Sequence, residues 1–292
     1  MAALGPIEVR LLGRPAFGAN AGWTELPPGK STAILLFLAF RGGWVGREEL
    51  VHLFWPESPE AQARSNLRPL LSRVKDAPYA RGLERERSRI RWPVTTDLRR
   101  FREAVAVQQW RRAWAHVGGE LLAGFTIANA PEFERWLEAE RAELRAIVRS
   151  VGTRAADAFA ARGDHVAHLE VLATLLRDDP LDEEVARAHL VALARGGARS
   201  EAVAAYERLR RSLDEELGVE PEDATRELAA RILRGVHGGY RSRAHADAPV
   251  GAGEGGTRRL PARAGPRGAS VARRGRGVKR ARSRRSSRRL RR

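Results

Sequence analysis

Residues 58–75, SPEAQARSNLRPLLSRVK, constrain this chain more than any other stretch. Ser58 is a good helix N-cap, Pro59 suits the first helical position, and Glu60 in the first turn complements the helix dipole. Ala63, Leu67, Leu70, Leu71 and Val74 then recur at helical spacing and form one apolar stripe. Gln62, Ser65, Asn66, Ser72 and Arg73 point away from that stripe, and Arg64, Arg68 and Lys75 line one flank. One face must therefore dock on a core. The other is suited to an anionic surface lined with hydrogen-bonding edges, as in a DNA major groove. Taken alone, the pattern equally describes a surface helix with a solvated charged face, so its neighbours decide. Pro69 lies deep in the segment. It removes the bond to the Ser65 carbonyl, at a cost of about 3 kcal/mol in a regular helix, so a kink or a later helix start is expected.

The preceding residues read as short strands followed by two helices. Ile7, Val9 and Leu11 alternate with Glu8 and Arg10 before Gly13 and Pro15 break the run, and Ala16-Phe17 and Trp23–Leu26 add strands. Pro27-Pro28-Gly29-Lys30-Ser31-Thr32 invites comparison with a nucleotide-binding loop. The required glycine four residues earlier is Thr24, and the two prolines remove a backbone donor, so the comparison fails. Ser31 or Thr32 instead starts a buried helix through Phe40, closed by Gly42-Gly43. A second helix covers Arg47–Phe54. After the 58–75 helix, Gly82–Val94 sets Leu83, Ile90 and Trp92 among Arg85, Arg87, Arg89 and Arg91, the pattern of a basic hairpin. Strands, three helices and a basic hairpin in that order predict an α+β winged helix-turn-helix over residues 1–96. The third helix would enter the major groove and the hairpin would reach phosphate or the minor groove.

At Asp97 the character changes to amphipathic helix. Helices are expected over 97–107, 108–117, 131–162, 164–177, 182–195, 199–216 and 222–234. Gly163 and Gly197 lie 34 residues apart, and Leu172 and Leu175 recur at that offset as Tyr206 and Leu209. Ala202-x3-Tyr206 matches the second-helix signature of a tetratricopeptide repeat, whose period is 34. Residues 97–237 are therefore expected to form an all-α, tetratricopeptide-like domain, with a generic helical bundle as the alternative. Trp110, Trp114 and Trp136 are expected in its core.

Charge must be divided before it is used. Of the net +17, residues 241–292 carry 18 basic and 2 acidic side chains. Residues 1–96 hold 14 and 9, and residues 97–240 hold 21 and 25, so a mildly basic front precedes an acidic back. The stretch 238–292 has almost no large apolar residues after Tyr240 and is expected to be a disordered Arg-rich tail, either a polyanion anchor or a segment without a selected role. The absence of cysteine excludes a disulfide framework and a Cys zinc site. Met1–Gly13 does not read as a signal peptide, and the longest apolar run, Ala33–Phe40, is too short to span a membrane. A cytoplasmic, nucleoid-associated protein with no membrane partner is expected.

These residues resemble a known family: bacterial regulators with an OmpR-type winged helix followed by a bacterial transcriptional activator domain, as in the Streptomyces antibiotic regulatory proteins. The matching stretches are Leu11-Leu12-Gly13, Lys30 with its apolar helix, Arg47-Glu48-Glu49-Leu50 and Leu53-Phe54-Trp55-Pro56. They continue through Asn66-Leu67-Arg68, Leu71-Ser72-Arg73, Asp97 with Phe101, Asp179–Glu183, Ala204–Glu207 and Leu213–Pro221. Together they cover roughly residues 5–235. The resemblance implies that Asn66–Lys75 lies in the recognition helix, with Arg68, Ser72 and Arg73 facing DNA. It also implies binding to promoter repeats, activation through RNA polymerase and self-association through the helical domain. Neither a receiver domain ahead of the winged helix, and with it phosphoryl control, nor an ATPase domain with a Walker A behind the helical module is expected.

No metalloprotease HExxH, serine nucleophile elbow or dinucleotide turn is present, and His165-x2-His168 lacks a completing ligand. Neither an enzyme nor a cofactor is expected. The residues assigned to DNA are Arg64, Ser65, Asn66, Arg68, Ser72, Arg73, Lys75, Arg85, Arg87, Arg89 and Arg91. Arg68, Ser72 and Arg73 would read bases or position the helix, and Arg64, Lys75 and the hairpin arginines would contact phosphate. The competing expectation is a helical-repeat adaptor with a degenerate winged helix.

Overall fold

The structure is a computed structural model in which residues 7–19, 22–75 and 78–235 are described. The Arg-rich tail, and with it the expectation of a disordered polyanion anchor, lies outside the described residues. The chain opens with three antiparallel strands, β1 (Glu8–Arg10), β2 (Ala16–Ala19) and β3 (Gly22–Glu25). Val9 stands opposite Phe17. Helices α1 (Lys30–Arg41), α2 (Arg47–Phe54) and α3 (Glu60–Lys75) follow, with the two-residue strand β4 (Val45–Gly46) leading into α2. Strands β5 (Glu84–Arg85) and β6 (Arg89–Arg91) form the hairpin. It extends to a three-stranded sheet in the order β4-β6-β5, with Val45 opposite Ile90. Thr95–Thr96, expected only to precede a helix, form β7, which pairs in parallel with β1 and closes a sheet ordered β3-β2-β1-β7.

Helix α1 is buried from Thr32 to Phe40, as its nearly uninterrupted apolar sequence demands. It ends at Gly42, whose φ of 64° places it in the left-handed region while its N–H bonds the Leu38 carbonyl. Its start is Lys30, slightly ahead of the expected Ser31 or Thr32. The Lys30 ammonium donates to the Phe54 carbonyl at 2.9 Å and lies 5.1 Å from the centre of the Trp55 ring. The Gly-Lys-Ser triplet thus serves the end of α2, where a carbonyl lacks a helical partner.

Seven helices follow among the described residues: α4 (Asp97–Ala106), α5 (Trp110–Trp114), α6 (Pro131–Ala160), α7 (His165–Asp178), α8 (Glu183–Arg195), α9 (Arg199–Leu217) and α10 (Asp223–Leu233). α5 is shorter than the expected 108–117, because Gln108 adopts a positive φ of 54° and breaks the helix before it. Successive helices from α6 to α10 pack on one another. The 34-residue repeat appears in the hydrogen bonds of its turns. Asp164 N–H bonds the Phe159 carbonyl at 3.0 Å, and 34 residues later Ala198 N–H bonds the Leu193 carbonyl at 2.9 Å. Gly163 and Gly197 hold equivalent left-handed positions, with φ of 74° and 81°. These are Schellman closures, which need a residue free of Cβ strain.

Several links join the winged stretch to the helices, two of them central. The Asp97 carboxylate accepts from the N–H groups of Leu11 at 2.8 Å, Leu12 at 3.0 Å and Leu98 at 2.8 Å, fixing the start of α4 to the end of β1. The second link is aromatic. Phe133 of α6 stacks on Phe54 of α2 with centroids 5.2 Å apart and lies 5.4 Å from Trp136. Trp136 meets Phe37 and Phe40 of α1 edge-on at 4.8 and 5.1 Å. One hydrophobic core therefore runs from Val9 through α1–α3 to Val151 in α6. Trp136, Trp110 and Trp114 are all partly buried at its edge or at that of a smaller cluster.

Phe133→Ala should cost about 3–5 kcal/mol by cavity formation. Since the core is shared, the winged stretch and α6 should lose stability together in denaturant, as read by amide exchange in α1 and α6. A second prediction concerns acid. Arg149 of α6 donates to Asp182 at 2.9 Å and to Glu184 at 2.8 Å, and Asp182 also caps α8 by accepting from Val185 N–H at 3.1 Å. Burial raises the Asp182 carboxyl, but the Arg149 and backbone hydrogen bonds outweigh it and hold the group below its ordinary 3.8. Its contribution is present above 3.8 and is lost as pH falls through the depressed value. Asp182→Asn should therefore lower stability at neutral pH and flatten its fall below pH 3.8, measured by urea midpoints across pH.

Candidate nucleic-acid interface

Helix α3 buries Ala63, Leu67, Leu71 and Val74 and leaves Gln62, Arg64, Ser65, Arg68, Ser72 and Arg73 exposed. Leu70, expected on the apolar stripe, is half-buried. The helix begins at Glu60 and runs through Pro69 to Lys75, so a later start does not relieve the proline. Pro69 and Ser65 are both exposed, which leaves the Ser65 carbonyl to water. Asn66 is half-buried and accepts from Gln62 at 3.1 Å along the helix. The Lys75 side chain lies outside the described residues.

The arginines divide by what they already hold. Arg64 pairs with Glu60 one turn earlier and reaches Glu48 of α2 at 3.1 Å. In the hairpin, Arg89 donates twice to Glu86, at 2.6 and 3.1 Å, and Arg91 donates to Glu84 at 2.7 Å. Both guanidinium groups lie 4.6 Å from the centre of the half-buried Trp44 ring, which stands just before β4. The Glu86 carboxyl is accordingly held below its ordinary value by its hydrogen bond to Arg89. Arg68, Arg73 and Arg87 are exposed and have no carboxylate partner within 4 Å among the described residues. Arg87 sits in the hairpin turn closed by the Glu86 N–H to Arg89 carbonyl bond of 2.9 Å.

Where the hairpin meets α2 and α3, three arginines converge. Arg47, the first residue of α2, donates its backbone N–H to Ser88 at 2.9 Å and its side chain to the Glu86 carbonyl at 3.3 Å. Arg85 leans on the Leu71 carbonyl of α3 at 3.4 Å. The Arg47 guanidinium is pushed down from its ordinary value by burial and then by the charges of Arg85 and Arg68. Its Nε is buried without a hydrogen-bond partner. Like charges held close to one another favour an anion among them. Sequence reading assigned Arg68 and Arg85 to DNA but passed over Arg47, which stood in an unremarkable helix start. The signal was available only as basic residue plus Gly46 ahead of a helix, a pattern too common to single it out. The β4–β6 pairing that carries Arg47 to the hairpin is a tertiary fact.

No group of three or more metal-ligating side chains occurs among the described residues, and no helix there is long and apolar enough to cross a membrane.

The architecture is a winged helix-turn-helix followed by an all-α helical-repeat domain. Residues 94–233 match the family described as bacterial transcriptional activator domain. Regulatory protein AfsR of Streptomyces griseus is 31% identical over 218 residues, which are 69% of this chain and 22% of AfsR. Transcriptional regulatory protein MoaR1 of Mycobacterium bovis is 31% identical over 265 residues, which are 79% of this chain and 78% of MoaR1. In fold, the chain is similar to Mycobacterium tuberculosis EmbR, solved in complex with a low affinity phosphopeptide. That likeness has a TM-score of 0.52 at 24% identity and covers 78% of this chain and 65% of EmbR. The chain belongs to the bacterial regulators that carry a bacterial transcriptional activator domain, and it spans about a fifth of the length of AfsR (22%).

Trp44→Leu should remove two cation–π contacts worth about 0.5–1 kcal/mol each at exposed sites. Amide exchange in the β4–β6 pairing, read at Val45 and Ile90, should then rise several-fold while exchange in α8 and α9 is unchanged.

Proposed function

We propose that this chain is a sequence-specific regulator of transcription that binds double-stranded DNA at promoter repeats and activates through RNA polymerase. Residues 1–96 are its DNA-binding domain and 97–237 its activator domain, which also mediates self-association; it works in the cytoplasm, on the nucleoid. The observation that carries this reading is the exposed face of α3, where Ser65, Arg68, Ser72 and Arg73 stand open beside the three-arginine seat. Arg73 and Ser72 read base edges. Arg47, Arg68 and Arg85 hold one backbone phosphate and set the register of the helix, and Arg87 reaches a second. Arg64, Arg89 and Arg91 contribute less, because each must leave a glutamate to bind phosphate. Asn66 acts through Gln62, and Lys75 extends the basic flank.

The family names of the relatives support a regulator, and the open face of α3 supports DNA as its target. Pro69 and the three glutamate-paired arginines favour a second reading, in which the winged helix recognises no site and the chain is a helical-repeat adaptor. Selection of bound sequences from random duplex DNA, at salt high enough to suppress non-specific binding, separates the two. An enriched motif is expected; its absence would establish the adaptor.

On the selected site, Arg73→Ala should lose about 1–3 kcal/mol and relax the preference at one position. Arg47→Gln should weaken all sequences alike and lower the salt slope by about one, as loss of a phosphate contact does. A change of sequence preference in Arg47→Gln would contradict its placement on phosphate.

A further inference from the structure

The helical repeat does not close into a single core. Beyond the shared core, its buried residues fall into three small clusters. Leu190 belongs to one, Ala186 and Leu209 belong to another, and Leu176 packs at the edge of the third as well as against the second. Between them α7, α8 and α9 leave a cleft of about 340 Å³. Its floor is Leu176, Leu190 and Leu209 with the small residues Ala173 and Ala205. This is the size and character of a pocket that takes side chains from outside.

The rim of the cleft is basic. Arg177 stands on α7 and Arg208 on α9, both exposed, and the lining contains no aspartate or glutamate. Arg177 touches only the Thr174 hydroxyl at 3.3 Å, and neither arginine has a carboxylate within 4 Å among the described residues. His189 of α8 stands in the wall, and its Nδ1 is sealed without a partner. Burial, then the charges of Arg208 and His168, push its imidazole below the ordinary value against the opposing charge of Glu201, and the permanent charge of the lining is that of the two arginines. All this lies in a stretch that is acidic as a whole, with 25 acidic and 21 basic residues over 97–240. Several arginines in that stretch are matched by glutamate or aspartate, as Arg145, Arg149, Arg210 and Arg226 are. This cleft sets two guanidinium groups without a carboxylate partner over a half-buried apolar floor, with no acid in its lining.

We propose that the cleft between α7, α8 and α9 is the docking site for a peptide segment of a partner protein in which an aspartate or glutamate alternates with leucine-sized apolar residues. The apolar side chains complete the interrupted core, and the carboxylates bridge Arg177 and Arg208 across the rim. The assignment does not depend on DNA binding by α3.

The full-length chain, with methyl-labelled leucine, is titrated with a pool of capped pentapeptides that alternate Asp or Glu with Leu, Ile or Phe. A matched pool carrying Asn and Gln is the control. Saturable shifts are expected at the methyls of Leu176, Leu190 and Leu209, with the acidic pool binding about tenfold more tightly than the neutral one. Arg177→Gln with Arg208→Gln should abolish that preference. These side chains are exposed and hold no ion pair, so folding is not at stake. Ala205→Leu, which fills the cleft without changing charge, should remove binding of both pools. Shifts elsewhere, equal binding of the two pools, no saturable binding, or an acidic preference that survives the double arginine variant would each overturn the proposal.

Discussion

The stacking of Phe133 on Phe54, with Trp136 wedged against Phe37 and Phe40, is the contact on which the placement of α3 depends. Phe54 is the last residue of α2, and α2 packs directly on α3. A long helix of the repeat therefore buttresses the helix-turn-helix from behind. An isolated three-helix winged unit buries little area, and small cores are marginal. Here the 30-residue α6 supplies the missing wall, and Asp97 fixes the end of β1 to the start of α4 from the other side. Binding events at the helical repeat and at α3 consequently act on one packed body.

Electrostatics at the interface is a matter of compensation more than of net charge. Eight arginines and five glutamates stand on α2, α3 and the hairpin, but three of the arginines are already paired. Surface pairs of this kind contribute little to stability. Their consequence is geometric: Trp44 and the two hairpin glutamates hold Arg89 and Arg91 flat on the sheet. Arg47, Arg68, Arg73, Arg85 and Arg87 are left without a carboxylate partner among the described residues, and the charges of Arg85 and Arg68 bear on Arg47. In the cleft of the helical repeat, Arg177 and Arg208 likewise have no carboxylate partner among the described residues, while Arg187 and Arg210 nearby are paired.

Much of the fold was legible from residues 7–234. The helical spacing of Ala63, Leu67, Leu71 and Val74 placed the buried face of α3, and the 34-residue offset of Gly163 and Gly197 anticipated turns that share the same hydrogen bonds. Periodicity and turn chemistry are local, and they survive in the sequence. The short strands β4 and β7 were not legible. Two residues carry no alternation, and each strand exists only because a distant strand offers its edge.

The candidate site divides in the same way. Sequence by itself determined that α3 would present Ser65, Arg68, Ser72 and Arg73 outward, because helical geometry leaves no other face for them. It also determined that the hairpin would be rich in arginine. Only the tertiary structure decided that Arg64, Arg89 and Arg91 are held by glutamates, that Lys30 closes α2, and that Arg47 joins Arg68 and Arg85. A side chain's partners are set by distances between elements far apart in the chain. Arg47 and Ser88 are bonded at 2.9 Å across forty residues of intervening sequence that no local pattern records.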